Sequence, residues 1–170
     1  ISSQFVQYDG LIDEVRLHNR ILSAAEVKTL YDIGAPDKTN TSVSTPQGTG
    51  RLDSGLAGYW KLDENTGTSA SDASANGNTG TLTNSPTWST GRIGSAVQFD
   101  GTNDYIGVAT TTAITGLSRF TVCAWVNPTD NASPFPAVFN TYDASLTDGW
   151  DIYLVNGFSG GHGIGTSYRG

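Results

Sequence analysis

The chain has few of the residues from which cross-linked or reactive sites are built. Cys123 is the only cysteine among 170 residues, so no disulfide can form within the chain and no cysteine-based zinc site can be assembled. The two histidines, His18 and His162, lie far apart in sequence. Methionine is absent, and no charged segment followed by an apolar one opens the chain, which predicts that the natural start and any export signal lie upstream.

Basic residues are also few. Nine Lys and Arg stand against sixteen Asp and Glu, for a net charge of −7, and the basic residues are scattered along the chain. No patch can neutralise a run of phosphates, so we expect no nucleic-acid partner. No apolar run approaches the length of a transmembrane helix, so we expect no membrane insertion.

In place of these residues the chain has abundant glycine, threonine, serine and asparagine between short apolar runs, a composition typical of all-β proteins. Turn dipeptides such as Asn76-Gly77 and Asp100-Gly101 separate some of the runs, because both residue types tolerate positive φ. Short strands at this spacing predict an antiparallel β-sandwich or jelly roll. The predicted strands are residues 10–18, 57–62, 80–82, 96–100, 105–108, 120–126, 137–142 and 150–155.

The first of these strands contains an unusual carboxylate. Alternation through residues 10–18 would place Asp13 on the same face as Val15. That position suits a strand end or the neighbourhood of a metal ion, and a plain solvent-facing carboxylate is the alternative.

One short helix is predicted near the N-terminus. Ser23 and Glu26 form a capping box, in which each side chain accepts a hydrogen bond from the other residue's backbone amide. Gly34 followed by Pro36 supplies a stop, so the helix should have about three turns. Residues 35–54 are almost entirely polar or Gly and Pro, which predicts a mobile linker.

Several stretches together resemble a known family. Residues 58–64 (GYWKLDE), 72–82, 94–101 (GSAVQFDG) and 120–126 (FTVCAWV) are similar to the opening half of a laminin-G-like jelly-roll domain, of the concanavalin-A-like lectin and glucanase superfamily. Residues 5–31 are similar to that family's ending, a strand of the pattern Gly-x-Ile-Asp-Glu-Val-Arg followed by a Leu-Ser-x-x-Glu helix.

The order of these motifs implies a division of the chain, because the family's ending comes first here. Residues 1–34 would be the last strand and helix of one domain, 35–54 a linker, and 55–170 the incomplete N-terminal part of the next domain. The parent protein would then be a tandem array with adjacent repeats of the same type. First and last strands are typically neighbours in this fold, so we expect residues 11–18 to dock beside residues 57–62 of the same chain.

The resemblance implies an extracellular or cell-surface binding module that is not an enzyme. Hydrolases of the superfamily carry alternating acids on one strand, because retaining glycosidases need two carboxyls about 5 Å apart. The nearest run here, residues 11–14 (LIDE), has leucine in place of the first acid. Carbohydrate or glycoprotein binding in adhesion is the expected function, and the alternatives are a structural spacer or an accessory domain of a glycoside hydrolase.

Calcium is the expected cofactor. Residues 72–80 combine a carboxylate, two amide oxygens and a glycine-bearing turn, and such loops supply oxygen ligands to Ca²⁺. By resemblance, the candidate ligands are Asp13, Asp72, Asn76 and Asp100. The alternative is an Asx turn, closed by hydrogen bonds without a metal.

Aromatic side chains are the candidates for contact with a sugar, whose ring faces are apolar. Trp60 and Trp125 alternate with polar neighbours on predicted strands and are assigned to the core. The predicted ligand-binding platform consists of Trp88, in a predicted loop, together with Tyr105, Tyr142 and Tyr153.

The remaining candidates are single residues. By resemblance to the pentraxin branch of the superfamily, Cys123 would pair with a cysteine on a later strand, and the alternative is a small buried hydrophobe. His18 is predicted to be a surface residue at a strand end. His162 lies in a Gly-rich stretch that is predicted to be flexible.

Overall fold

The protein has an all-β fold with antiparallel sheets and one helix, as the sequence predicts. The computed structural model describes residues 8–35, 51–109, 117–129, 137–141, 149–158 and 161–169. The elements in chain order are β1 (Asp9–His18), α1 (Ala24–Gly34), β2 (Leu56–Trp60), β3 (Ser69–Ala70), β4 (Gly80–Thr83), β5 (Thr87–Thr90), β6 (Ser95–Asp100), β7 (Tyr105–Val108), β8 (Thr121–Pro128), β9 (Ala137–Asn140), β10 (Gly149–Phe158) and β11 (Gly161–Arg169).

The strands form three sheets. Sheet A has the order β2-β1-β6-β5, and β8 also pairs with β1; sheet B has the order β3-β4-β7, and sheet C the order β11-β10-β9. Antiparallel sheets whose cores meet face to face are typical of a β-sandwich. The finer jelly-roll connectivity stays a prediction.

Strand β1 lies at the centre of sheet A. Its first half pairs with β6, its second half pairs with β2, and β8 runs along it from Gly10 to His18. The pairing of Val15 with Trp60 and of Leu17 with Gly58 confirms that the N-terminal strand docks beside residues 57–62 of its own chain.

A β-bulge in β1 changes which side chains face the core. Glu14 has a positive φ of 55°, and the register with β8 shifts between Asp13 and Arg16. A bulge adds one residue to a strand and therefore reverses the alternation beyond it. For this reason both Ile12 and Leu17 are buried, although simple alternation would place them on opposite faces.

The core lies between sheets A and B. Its buried side chains come from β1, β2 and β6 on one side and from β3 and β4 on the other, and the indole N–H of Trp60 donates to the carbonyl of Asn78 at 2.8 Å. Trp60 is therefore a core residue, as predicted. The buried members of the cluster are Tyr8, Ile12, Leu17, Ala57, Trp60, Leu62, Ala70, Leu82, Val97 and Phe99.

The capping box predicted for α1 is present. The backbone amide of Glu26 donates to Oγ of Ser23, and the backbone amide of Ser23 donates to Oε2 of Glu26 at 2.8 Å. Arg20 also binds the Glu26 carboxylate, and these hydrogen bonds, that of Arg20 first, lower the pKa of Glu26 to about 2. The helix start is thus joined by an ion pair to Arg20, two residues after the end of β1.

Some sequence predictions differ from the structure. The stretch containing His162 forms strand β11, paired along β10, and Trp88 lies on strand β5 rather than in a loop.

Of the predicted linker, residues 36–50 lie outside the described residues. The carbonyl oxygens of Arg51 and Ser54 accept hydrogen bonds from the Arg20 side chain, so the last part of the predicted linker is packed.

The prediction that His18 is a surface residue is wrong. His18 is fully buried, and its Nε2 lies 3.0 Å from the carbonyl oxygen of Leu52. A carbonyl can only accept, so Nε2 carries the hydrogen, and the buried Nδ1 has no hydrogen-bond partner. Burial lowers the pKa of His18, and the nearby charges of Arg20 and Arg16 act in the same direction, whereas the Leu52 carbonyl and Glu26 oppose it.

We expect the stability of the protein to fall below about pH 6.5 because of His18. Its pKa is lower in the folded state than in the unfolded state, so the unfolded chain binds the additional proton in this range and gains free energy, by at most about 1.4 kcal/mol per pH unit. Urea unfolding at pH 7.5, 6.5 and 5.5 measures the effect. His18→Gln should flatten the profile, and an equal slope in the two proteins would contradict the assignment.

Candidate functional site

An open groove lies between helix α1 and the strands β8, β9 and β10. Its volume is about 290 Å³ and its walls are mainly apolar, with polar groups from Glu14 and Arg16 at one wall. This is close to the lower limit of small-ligand pockets, ~300 Å³. The lining residues are Glu14, Arg16, Val27, Leu30, Tyr31, Val122, Cys123, Ala124, Trp125, Val126, Val138, Phe139 and Ile152.

Two aromatic rings stand together at this groove. The rings of Tyr31 and Trp125 are 5.4 Å apart and tilted by 35°, and 56% of Tyr31 is exposed. The guanidinium of Arg92 lies 4.9 Å from the Trp125 ring, an attractive cation–π arrangement. Trp125 is only partly buried, which differs from the prediction that it belongs to the core.

Helix α1 approaches Trp125 closely because its last residue is glycine. A Cβ on Gly34 would lie 2.5 Å from Nε1 of the indole, closer than real contacts allow. The carbonyl of Gly34 accepts a hydrogen bond from Nε of Arg92 at 2.5 Å, so the same arginine contacts the helix end and the indole. The position of the Tyr31–Trp125 pair thus depends on Gly34 and Arg92.

The two polar residues that line the groove, Glu14 and Arg16, form a hydrogen-bonded group with Tyr59. Arg16 donates to Glu14 Oε2 and to the hydroxyl of Tyr59, and that hydroxyl donates to Glu14 Oε2 at 2.7 Å. Burial, together with the hydrogen bond to Glu14, raises the pKa of Tyr59, so its hydroxyl stays protonated. Glu14 is 3% exposed, and the bulge at this residue brings it to the groove.

Cys123 lines the groove as a free, partly buried thiol. Burial raises its pKa, and the charge of Arg16 only partly opposes this. A thiol with a raised pKa is a poor nucleophile at neutral pH. The disulfide implied by the family resemblance stays a prediction.

The first calcium candidate, Asp72, is the acceptor at the centre of a closed turn. Its Oδ1 accepts from the amides of Tyr59 and Ser74, and its Oδ2 accepts from the amide of Asn78, all at 2.8 to 3.0 Å. Burial alone would raise the pKa of Asp72, but the hydrogen bonds outweigh it and lower the pKa. Asn76 Nδ2 donates to the carbonyls of Leu56 and Ala57, which also holds the turn to β2.

These contacts match the Asx turn that was the alternative to a calcium loop. A carboxylate has about four lone-pair positions, and three of those of Asp72 are used by amides. Calcium takes six to eight oxygen ligands, so a site at this turn would need most of them from groups other than Asp72.

The other two calcium candidates belong to separate networks. Asp13 is buried. Its Oδ2 accepts hydrogen bonds from the backbone amides of Arg92 and Ile93 at 2.7 and 2.9 Å. Its Oδ1 is buried and has no hydrogen-bond partner among the described residues. Burial raises the pKa of Asp13 despite these two amides. Asp100 is exposed, and its Oδ1 accepts from the amide of Thr102 in the following turn.

In the described part of the chain, no three His, Cys, Asp or Glu side chains form a group that could hold a metal ion. The four candidates lie in three different hydrogen-bond networks. Calcium binding stays a prediction.

The two members of the predicted aromatic platform whose side chains are described lie on different sheets. Trp88, on sheet A, packs against the core and donates from Nε1 to the carbonyl of Gly67 at 2.9 Å, whereas Tyr105 is on sheet B and 51% exposed. Tyr142 lies outside the described residues. Tyr153 is on β10, opposite Gly165 of β11, and its side chain is not described.

The sequence contained weak signals for the groove residues. In the sequence, Val27, Leu30 and Tyr31 form one apolar face of α1. In the structure, 45% of Val27 and 56% of Tyr31 are exposed, so part of this apolar face does not reach the core. The bulge that places Glu14 at the groove has no sequence marker, because positive φ at Glu is uncommon.

Comparison with known proteins finds no matching family model, no matching curated protein and no matching solved structure. Helix α1 has 11 residues, and no helix in the described ranges has the length and apolarity needed to cross a membrane.

Proposed function

We propose that this chain is a non-catalytic, extracellular binding module whose ligand is a carbohydrate or glycoprotein, and that the groove between α1 and β8 is its binding site. The observation that carries the proposal is the Tyr31–Trp125 pair, an open aromatic surface beside buried polar groups. Aromatic faces pack against the apolar faces of sugar rings, and neighbouring polar groups can orient the hydroxyls.

The volume of the groove supports a small ligand. About 290 Å³ suits one ring-shaped group better than a long chain. Glu14 is paired with Arg16 and Tyr59, so it does not offer a free acid to a bound sugar, which supports binding rather than hydrolysis. A tandem array of such modules on a cell surface would bind its ligand through several weak sites at once.

The proposal predicts that Tyr31→Ala and Trp125→Ala each weaken glycoside binding roughly 10-fold or more, since truncating a central aromatic anchor has effects of this order. Calorimetry with methyl glycosides of glucose, galactose, mannose and N-acetylglucosamine measures the loss. Thermal melts of the variants show that the fold is retained; Tyr31 is the safer site, because it is more than half exposed.

Tyr105→Ala is the matched control. It removes a tyrosine of similar exposure, 51% against 56%, from sheet B, which does not pair with β8, and Tyr105 belongs to the platform predicted from sequence. Loss of binding in this variant alone would move the site to sheet B. If no glycoside in the panel gives heat with the unaltered protein, the carbohydrate proposal fails and the structural spacer becomes the leading candidate.

A further inference from the structure

The strand and helix at residues 8–35, here called the N-terminal segment, occupy a central place in a body formed by the described residues between 51 and 169. Strand β1 has neighbours along both edges, with β2 and β6 on one edge and β8 on the other. Leu17 of this strand is fully buried in the common core. The body therefore contains an acceptor site between β2, β6 and β8 that is filled by a strand from the other side of the linker.

Side-chain contacts continue this interface along the whole segment. Asp13 accepts from the amides of Arg92 and Ile93, and Arg92 in turn donates to the carbonyl of Gly34 at the helix end. Between these points, Thr121 Oγ1 accepts from the amide of Leu22 at 3.1 Å and donates to the carbonyl of Arg20 at 2.9 Å. Every one of these contacts joins the segment to the body, and none involves residues 36–50.

The length of the linker determines whether a chain can fill its own acceptor site. The Arg20 guanidinium donates both to the carbonyl of Arg51 and to the carboxylate of Glu26 in the first turn of α1, so the body begins close to the start of α1, whereas residue 35 lies at the far end of that helix. Eleven helical residues extend about 16 Å. Fifteen connecting residues, 36–50, can span about 50 Å, which is more than enough.

We propose that the acceptor site is equally complementary to the N-terminal segment of a second copy of this chain, so that two copies can exchange their segments reciprocally. The contacts named above would be the same in both forms, because none of them is made by residues 36–50. The exchanged and unexchanged forms then differ only in the chain entropy of the linker and the entropy of association. The linker length is what favours the single chain at low concentration.

Shortening the linker tests the proposal. Deletion of residues 37–49 leaves two residues between Ala35 and Arg51, which reach about 11 Å, less than the length of α1. The shortened chain is expected to elute as a dimer in size-exclusion chromatography with light scattering, and to melt cooperatively. Short connections of this kind are known to favour domain swapping.

The matched control replaces residues 37–49 by thirteen Gly and Ser residues, and it should remain a monomer at the same concentration.

A second experiment mixes two full-length variants. Leu17→Asp has a defective N-terminal segment, and Val97→Asp has a defective acceptor core. Neither should fold alone, and the mixture should recover about half of the native tryptophan fluorescence, because only one of the two exchanged units combines an intact segment with an intact body. A shortened chain that is a folded monomer, or one that neither folds nor dimerises, would overturn the proposal; neither result bears on sugar binding at the groove.

Discussion

Asp72→Ala is expected to lower the free energy of unfolding by about 2–3 kcal/mol, since the amides of Tyr59, Ser74 and Asn78 lose their common acceptor. The loss should be present with and without calcium, because the amides are already satisfied by the carboxylate itself. Urea denaturation in buffer with Ca²⁺ and in buffer with chelator measures both quantities.

Asp100→Ala serves as the control for this prediction. Asp100 is exposed and accepts one amide, that of Thr102, so its removal should cost less than about 1 kcal/mol. A melt of the unaltered protein that shifts with chelator, and a shift that disappears in Asp72→Ala, would instead establish a calcium site in residues 72–80. Ligands that bind only the folded state stabilise it by mass action, so a calcium site in this loop would raise the melting temperature at saturating Ca²⁺.

Leu17→Ala is expected to lower the free energy of unfolding by about 2–5 kcal/mol, the range for large-to-small substitutions at fully buried positions. Leu17 is completely inaccessible in the core between sheets A and B. The reason for the large effect is that a cavity would form where β1 meets the body. Chemical denaturation monitored by tryptophan fluorescence measures the loss.

Ile21→Ala is the comparison within the same segment. Ile21 is 71% exposed, four residues beyond Leu17, and its truncation should change stability by less than about 0.5 kcal/mol. Equal and small effects of the two substitutions would mean that β1 does not contribute to the core. The pairing of β1 with β2, β6 and β8 would then be wrong.

The local patterns in the sequence were sufficient for most of the fold. The capping box at Ser23 and Glu26 gave the start of α1, and the alternation in residues 10–18 gave β1 within one residue. Both signals are local, since they depend on hydrogen bonds or faces within a few residues. The docking of β1 beside β2 was also expected, although from a family resemblance rather than from the local pattern.

The candidate site could not be predicted in the same way. It depends on a bulge at Glu14, on the approach of Gly34 to Trp125, and on the burial of Arg16 against Tyr59. The last two are contacts between elements that are distant in sequence, and the bulge has no sequence marker, because positive φ at Glu is uncommon. His18 was misjudged for the same reason, because its burial depends on Leu52 in a segment whose composition predicted a linker.

The central position of β1 has a consequence for synthesis on the ribosome. Among the described strands β1 is made first, yet the strand that pairs along its other edge, β8, is the last of sheet A, and the partner of His18 is Thr121, about a hundred residues later. During translation the nascent chain therefore exposes one unpaired edge of β1 until β8 has emerged. Such edges are prone to non-native pairing, so the yield of folded protein should depend on chaperones that protect β1 during this interval.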